Sequence, residues 1–434
     1  MEKVTVVGAG LAGCEAAWQL ARQGAAVELV EMKPQKFSPA HKSAGFAELV
    51  CSNSLKAARI ESAAGLLKEE MRRLGSLLVP IAQRAAVPAG GALAVDREEF
   101  SRLVTEAIEA NPLITLRREE LLELPEGPAI IATGPLTAPG LSQAIQALCG
   151  GALSFFDAAA PIVTKESIDM NKCFAASRYG RGEEDYINCP MNKAEYEAFA
   201  QALLQAERAP VHGFDSRGPK VYEGCMPIEV LASRGGDAIR FGPMKPVGLV
   251  DPRTGHRPWA VVQLRTENRE KSLYNLVGFQ TNLKFGEQRR VFTMIPGLER
   301  AEFARYGVMH RNTFLNSPQL LAGDFSLRDR PRLFFAGQIT GVEGYMESAS
   351  SGIMAGVNMA RRLQGKKPLV LPETTMIGAL SRYVSGYEGK DFQPMGANFG
   401  ILPPLGEKIR DKRERYAALA RRSLKALDQA AALD

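Results

Sequence analysis

Two cysteines sit in settings that suit thiol chemistry. Cys51 lies in LVCSNSLKA, residues 49–57, between an apolar pair and a run of small polar residues. Ser52, Asn53 and Ser54 are helix N-cap and turn formers, and a thiol near a helix N-terminus is more readily ionised and reactive. The stretch therefore reads as a reactive sulfur on the approach to a helix. Cys225 lies in GPKVYEGCMPIEVLASRG, where Gly224 and Pro227 restrict the backbone; taken alone it fits a buried structural thiol as well. The remaining cysteines, 14, 149, 173 and 189, form no CxxC pair, and there are four histidines. Neither a disulfide framework nor a metal site is expected.

The elements that must position these thiols begin at the N-terminus. VTVV, residues 4–7, reads as a short buried parallel strand. GAGLAG, Gly8–Gly13, follows and opens a helix that ends at Gly24; a second strand, in AAVELVEMK, finishes at Glu31. Strand, G-x-G-x-x-G, helix, strand and acid is the dinucleotide cradle. Gly8 permits the tight turn, Gly10 lets the backbone approach a pyrophosphate, and Gly13 allows close helix–strand packing. The N–H groups at the helix start, from Ala9 through Leu11 and Ala12, face the phosphates. Glu31 stands where a carboxylate holds ribose hydroxyls, with Met32 beside it. Cys14, inside the helix, reads as a small core residue.

A second segment selects FAD over a simple nicotinamide dehydrogenase. RPRLFFAGQITGVEGYMESASSGIMAGVNMARRL, residues 330–363, gives a strand (LFFAG), a glycine-rich turn at Gly337 and Gln338, and a helix expected to start near Ser348–Gly352. The small residues there, Ser350 and Gly352 among them, let a helix N-terminus approach a ligand. PAIIATGP, with Thr133 and Gly134, supplies another strand of the same type. The reading is an α/β chain: a glutathione-reductase-type FAD-binding Rossmann-like domain with an inserted α+β domain. Its expected divisions are residues 1–160, the insertion 161–329, and 330–434. The insertion carries strand-like runs, AIRFGPM, WAVVQLR and LYNLVGFQ, the last running on towards an amphipathic helix.

The chain is 434 residues long with a net charge of +6, enough for two or three domains. It has no run of 18 apolar residues and no signal-peptide pattern, so a cytoplasmic protein without membrane contact is expected. The basic excess is mild but clustered, in Glu407–Leu427 and from about Arg234 to Arg290. Such clusters fit a polyanionic partner or a solvated face.

GAGLAG, FAELVCSNSLKA, EGCMPIE, GVMHRNTFLNSP and FFAGQITGVEGYMESASSG together resemble the folate- and FAD-dependent tRNA (uracil-5-)-methyltransferases, the TrmFO family, over essentially the whole chain. The last motif is also similar to the related wobble-uridine carboxymethylaminomethyl enzyme, whose long helical C-terminal extension this chain is too short to carry. The resemblance implies FAD, with 5,10-methylenetetrahydrofolate and NADH or NADPH as co-substrates. It implies the T-arm of tRNA as the RNA partner, with no obligate protein partner, and 5-methyluridine as product. C5 of uracil is a poor nucleophile, so a thiolate must add at C6; the resemblance implies Cys225 for that role. It implies that Cys51 attends the flavin, which is thought to carry the methylene at N5. Tyr345, in the glycine-rich turn, is a candidate to pack at flavin or folate, or a core tyrosine. The alternatives are methylation of a ribosomal RNA uridine, a small-molecule flavin oxidoreductase, and a flavin-bound RNA-binding module.

Overall fold

The computed structural model describes residues 2–150, 153–180, 183–209, 226–389 and 392–431; Cys225 and the part of its motif before it lie outside them. The GAGLAG region folds as its pattern predicts. Strand Val4–Val7 is central in a six-stranded sheet. It pairs in parallel with Val27–Glu31 on one side and Ala129–Ile131 on the other. Ile114–Arg118 and Arg330–Phe335 extend the sheet, again in parallel, and the short strand Ser326–Leu327 closes one edge antiparallel. The chain thus leaves this sheet and returns to it some 200 residues later. Being covered on both faces, the strands are near-continuous apolar runs.

Two helices cover the central strands. The opening helix, Leu11–Arg22, and the closing helix, Tyr345–Leu363, pack against each other in the main core. Their closeness is set by missing side chains. A Cβ on Gly352 would lie 2.1 Å from the Ala12 carbonyl oxygen, and one on Gly13 would lie 1.8 Å from that of Gly8. The closing helix begins at Tyr345, three residues before the sequence suggested, because Gly344 turns the chain with φ 120° and serves as N-cap.

The excursion between the two passes forms a second sheet with its own core. Its antiparallel order is Phe174–Ala175, Tyr186–Met191, Ala260–Thr266, Leu273–Leu276, Ile162–Thr164, Phe303–Arg305. WAVVQLR and LYNL are strands as expected, and Phe285–Phe292 is the helix that follows. AIRFGPM is not a strand: Ala238–Phe241 is a short helix, which stops where Gly242 and Pro243 follow. A two-stranded ribbon, Leu153–Ala158 with Met309–Phe314, links the two parts.

The basic C-terminal segment is a helix, Lys412–Ala431. Its Leu419, Ala420, Leu424 and Leu427 are buried in the main core, so the cations occupy the other face. Glu70 fastens this corner. Its carboxylate accepts the Met376 and Ile377 N–H groups at 2.7 and 2.9 Å, capping helix Met376–Gly386, and also accepts the Ser423 hydroxyl. No described helix is long and apolar enough to cross a membrane.

Candidate active site: a dinucleotide cleft joined to a thiol pocket

A cleft enclosing about 1150 Å³ runs along the C-terminal ends of the parallel strands. Gly8, Gly10, Leu11, Ala12, Glu31, Met32, Thr133, Gly134, Gly337, Gln338 and Tyr345 line it, from four separated segments. Gly10 is the N-cap of the opening helix and offers no side chain, which leaves the first-turn N–H groups for a ligand. A Cβ on Gly10 would meet no protein atom within 4 Å, so it would project into the open cleft. Glu31 is buried and oriented by the Ala9 N–H at 2.8 Å and the Lys33 N–H at 2.9 Å. A glycine cradle, a helix start without a side-chain cap and a preset acid fit a dinucleotide.

Ala9, Gly13, Ser350 and Gly352 do not line the cleft; they support it. Ser350 donates its hydroxyl to the Glu347 carbonyl at 2.8 Å. Ser348 takes the lining place, and Ser351 Oγ accepts the Gly337 N–H at 2.7 Å. Cys14 is fully buried, and burial pushes its thiol far up from the usual cysteine range. It is a core residue, as expected.

A second pocket, about 1240 Å³ and so of similar size, adjoins the first. The two share Val50, Pro135, Leu136, Gln338 and Tyr345. Cys51 lines this second pocket, but not at a helix N-terminus: Ser54–Ala57 is a strand, paired with Ala92–Val95. The Ser-Asn-Ser run instead makes a turn pinned from several sides. The Cys51 N–H donates to the Tyr345 phenolic oxygen at 2.7 Å, and the Ser52 N–H to the same oxygen at 3.2 Å. Burial pushes the Tyr345 phenol above the usual tyrosine range, keeping it neutral. The Cys51 thiol contacts the Ala158 carbonyl at 3.5 Å.

Three guanidiniums surround this turn. Arg97 donates to the Leu49 carbonyl at 2.6 Å and the Cys51 carbonyl at 3.4 Å, and pairs with buried Glu267 at 2.6 Å. Arg305 reaches the Cys51 carbonyl at 3.2 Å. Arg265 bonds Asn53 Oδ1 at 3.0 Å and Ser52 Oγ at 2.9 Å. Burial lowers the Arg265 and Arg305 guanidiniums from the usual arginine range. Sequence reading missed all three, because they come from distant elements with no local pattern.

Glu347, in the first turn of the closing helix, also lines the second pocket. Its Oε1 accepts Lys56 Nζ at 2.6 Å and the Ala397 N–H at 2.9 Å, while its buried Oε2 has no partner among the described residues. Lys56 is held with φ 63°, a left-handed backbone that a lysine adopts at a cost. Cys225 lies outside the described residues; the described chain before and after that segment is anchored close by. The Ala209 N–H donates to the Asn282 carbonyl at 2.7 Å and the Ile228 N–H to that of Gln280 at 2.7 Å; Gln280 lines the second pocket. No metal-binding cluster occurs among the described residues.

Cradle, closing helix and inserted antiparallel sheet define an FAD-binding α/β protein. The family profile "Glucose inhibited division protein A" matches residues 3–367. Two proteins named methylenetetrahydrofolate--tRNA-(uracil-5-)-methyltransferase TrmFO align over 431 residues, 99% of this chain and 98% of each relative. The one from Desulfitobacterium hafniense is 59% identical and the one from Acetivibrio thermocellus 61%. The chain belongs to the TrmFO family. Among solved structures, Aquifex aeolicus GidA in its form II crystal superposes with a TM-score of 0.71 at 16% identity, covering 99% of this chain and 73% of that one, a likeness of fold.

Proposed function

We propose that this chain transfers the one-carbon unit of 5,10-methylenetetrahydrofolate to C5 of a T-arm uridine in tRNA and reduces it to a methyl group. The observation that carries the reading is the pair of joined cavities, one shaped for a dinucleotide and one lined by Cys51, which meet at Tyr345 and Gln338. Gly8, Gly10, Leu11, Ala12, Glu31, Thr133, Gly134, Gly337 and Gln338 would hold FAD, with Ala9 and Gly13 shaping the turn behind them. When bound and reduced, FAD supplies the two electrons that take the methylene to methyl. NADH or NADPH is the proposed external reductant.

The chain's own residues divide the remaining work. The Cys225 thiolate adds to C6 of the uracil and C5 bonds the one-carbon unit; loss of the C5 proton then releases the carrier amine and leaves an exocyclic methylene, and its reduction to methyl by a hydride expels Cys225 and restores the C5–C6 double bond. The target base must leave its stack to reach a thiol. Cys51, fixed by Tyr345 and the arginines, attends the flavin end of the cleft. Glu347 Oε2 accepts an N–H from the pterin of the folate, a partner it lacks among the described residues.

The test is methyl incorporation into unmodified tRNA from labelled methylene-folate. Full activity requires folate, reductant and flavin together. Cys225→Ala abolishes transfer and any covalent complex with 5-fluorouracil-containing tRNA. Cys51→Ala abolishes transfer while flavin and tRNA binding persist. Equal incorporation without folate overturns the reading.

A further inference from the structure

The second basic cluster of the sequence has a use that the catalytic pockets do not explain. Residues 234–257 carry five Lys or Arg against two Asp, a net charge of +3. Within them, loop 241–250 displays apolar side chains that the core does not take up. Phe241 is 73% exposed, Val250 58% and Val247 44%. Tyr179 stands against the far end of the same loop, 60% exposed.

The display of Tyr179 is built into the backbone. Its φ is 58°, a conformation a tyrosine rarely adopts. Its N–H donates to the Gly248 carbonyl at 3.0 Å, and Arg178 donates to the Val247 carbonyl at 2.9 Å. Gly248 is itself left-handed, and a Cβ there would lie 2.9 Å from the Tyr179 ring. A strained backbone at Tyr179, opposite a glycine whose missing side chain makes room for the ring, thus holds the aromatic residue with more than half of it exposed. Strain of this kind, held at an exposed aromatic residue, is concentrated at functional surfaces.

At the other end, Phe241 is framed by cations. The Arg240 guanidinium lies 5.4 Å from its ring centre and 3.9 Å from that of Trp259, with Lys193 on Trp259 as well. Exposed Lys245 stands within the loop and exposed Arg257 a few residues beyond it. The loop adjoins the active site: a Cβ on Gly278 would sit 2.6 Å from Pro243, and Gln280, two residues on, lines the thiol pocket.

Exposed rings interleaved with cations are what a protein presents to unstacked RNA bases, the rings for the base faces and the cations for phosphates. A protein-docking patch would instead be poor in charge at its centre. We propose that Tyr179 and Phe241 stack unpaired bases of the RNA substrate, with Lys245 and Arg257 on its phosphates. This rests on the proposed RNA substrate and adds the surface that seizes it.

The test uses the full-length flavoprotein and an unmodified T-arm stem-loop, with affinity measured over a range of salt. Tyr179→Ala and Phe241→Ala should each weaken binding about five-fold or more without changing the salt dependence. Tyr179→Phe, which keeps the ring, should bind within two-fold of wild type. Lys245→Ala should lower the slope of log K against log salt by about 0.7 to 0.9. Flavin absorbance and thermal midpoint stay unchanged. Wild-type affinity in both alanine variants overturns the surface while leaving the function; no RNA binding by the wild type overturns both. A variant that fails to fold does not decide the matter, because cross-linking of wild type does. Photoreactive bromouridine in the loop should label peptides containing Tyr179 or Phe241, and labelling confined to other regions refutes the proposal.

Discussion

The phenolic oxygen of Tyr345 receives the backbone N–H of Cys51 at 2.7 Å, across 294 positions of sequence. One hydroxyl thereby ties the first turn of the closing helix to the loop that carries the thiol, at the place where the two cavities meet. Tyr345→Phe keeps the ring in the cleft but removes the acceptor for two N–H groups. Leaving such groups unpaired costs about 1–3 kcal/mol. The variant should bind flavin, unfold at a lower temperature and transfer methyl groups at least ten-fold more slowly. A wild-type rate would show that the thiol loop is held without the phenol.

Gly10 and Gly13 lie in one hexapeptide and should fail differently. A Cβ on Gly10 meets nothing within 4 Å, whereas one on Gly13 meets the Gly8 carbonyl oxygen at 1.8 Å. Gly10→Ala should therefore fold with a near-native thermal midpoint and purify with little flavin. Gly13→Ala must push the opening helix off its strand, so it should lose stability as well as flavin. Circular dichroism melts and the flavin-to-protein absorbance ratio separate the two outcomes.

What sequence could show was what is local. The cradle is a run of consecutive residues whose spacing dictates its geometry, so Gly8–Gly13, the strand ending at Glu31 and the strand Ala129–Ile131 were legible. Cys51 was legible as an odd thiol, but its surroundings were not. The Ser-Asn-Ser run has the composition of a helix cap, yet the chain after it pairs with Ala92–Val95, some 40 residues away, and a strand results. Arg97, Arg265 and Arg305 converge on the turn only after both sheets have formed. Ser348 rather than Ser350 faces the cleft because Gly344 starts the closing helix early.

Glu70 makes stability depend on pH. Burial raises its carboxyl from 4.5 to about 7, against the hydrogen bonds that favour the charged form. The folded chain holds this proton more tightly than the unfolded one. The contribution is therefore fully present below about pH 4.5 and is lost as the pH rises through about 7. At about 1.36 kcal/mol per unit, the loss is on the order of 3 kcal/mol. Glu15, also raised to about 7 by burial, adds a fall of the same sign. Glu70→Gln should be less stable at pH 5, since an amide cannot accept from every donor Glu70 serves, but its urea midpoint should fall less between pH 5 and 8. Equal slopes for variant and wild type would assign the titration elsewhere.

Glu347 offers the sharpest test of what the thiol pocket receives. One carboxylate oxygen is occupied by Lys56 and the Ala397 N–H, and the other is buried without a partner among the described residues. An unpaired acceptor on a pocket-lining residue suits a ligand N–H, and the pterin of a folate presents such donors on its pyrimidine edge. Glu347→Gln keeps the shape and can keep an oxygen towards Lys56, but it turns an amide N–H towards the ligand's own N–H. A hydrogen bond to a charged group contributes about 1.5–3 kcal/mol, so KM for methylene-folate should rise about ten-fold or more. The rate at saturating folate, the flavin spectrum and RNA affinity should change little. If KM for RNA rises while that for folate does not, the open oxygen serves the nucleic acid and the folate lies elsewhere.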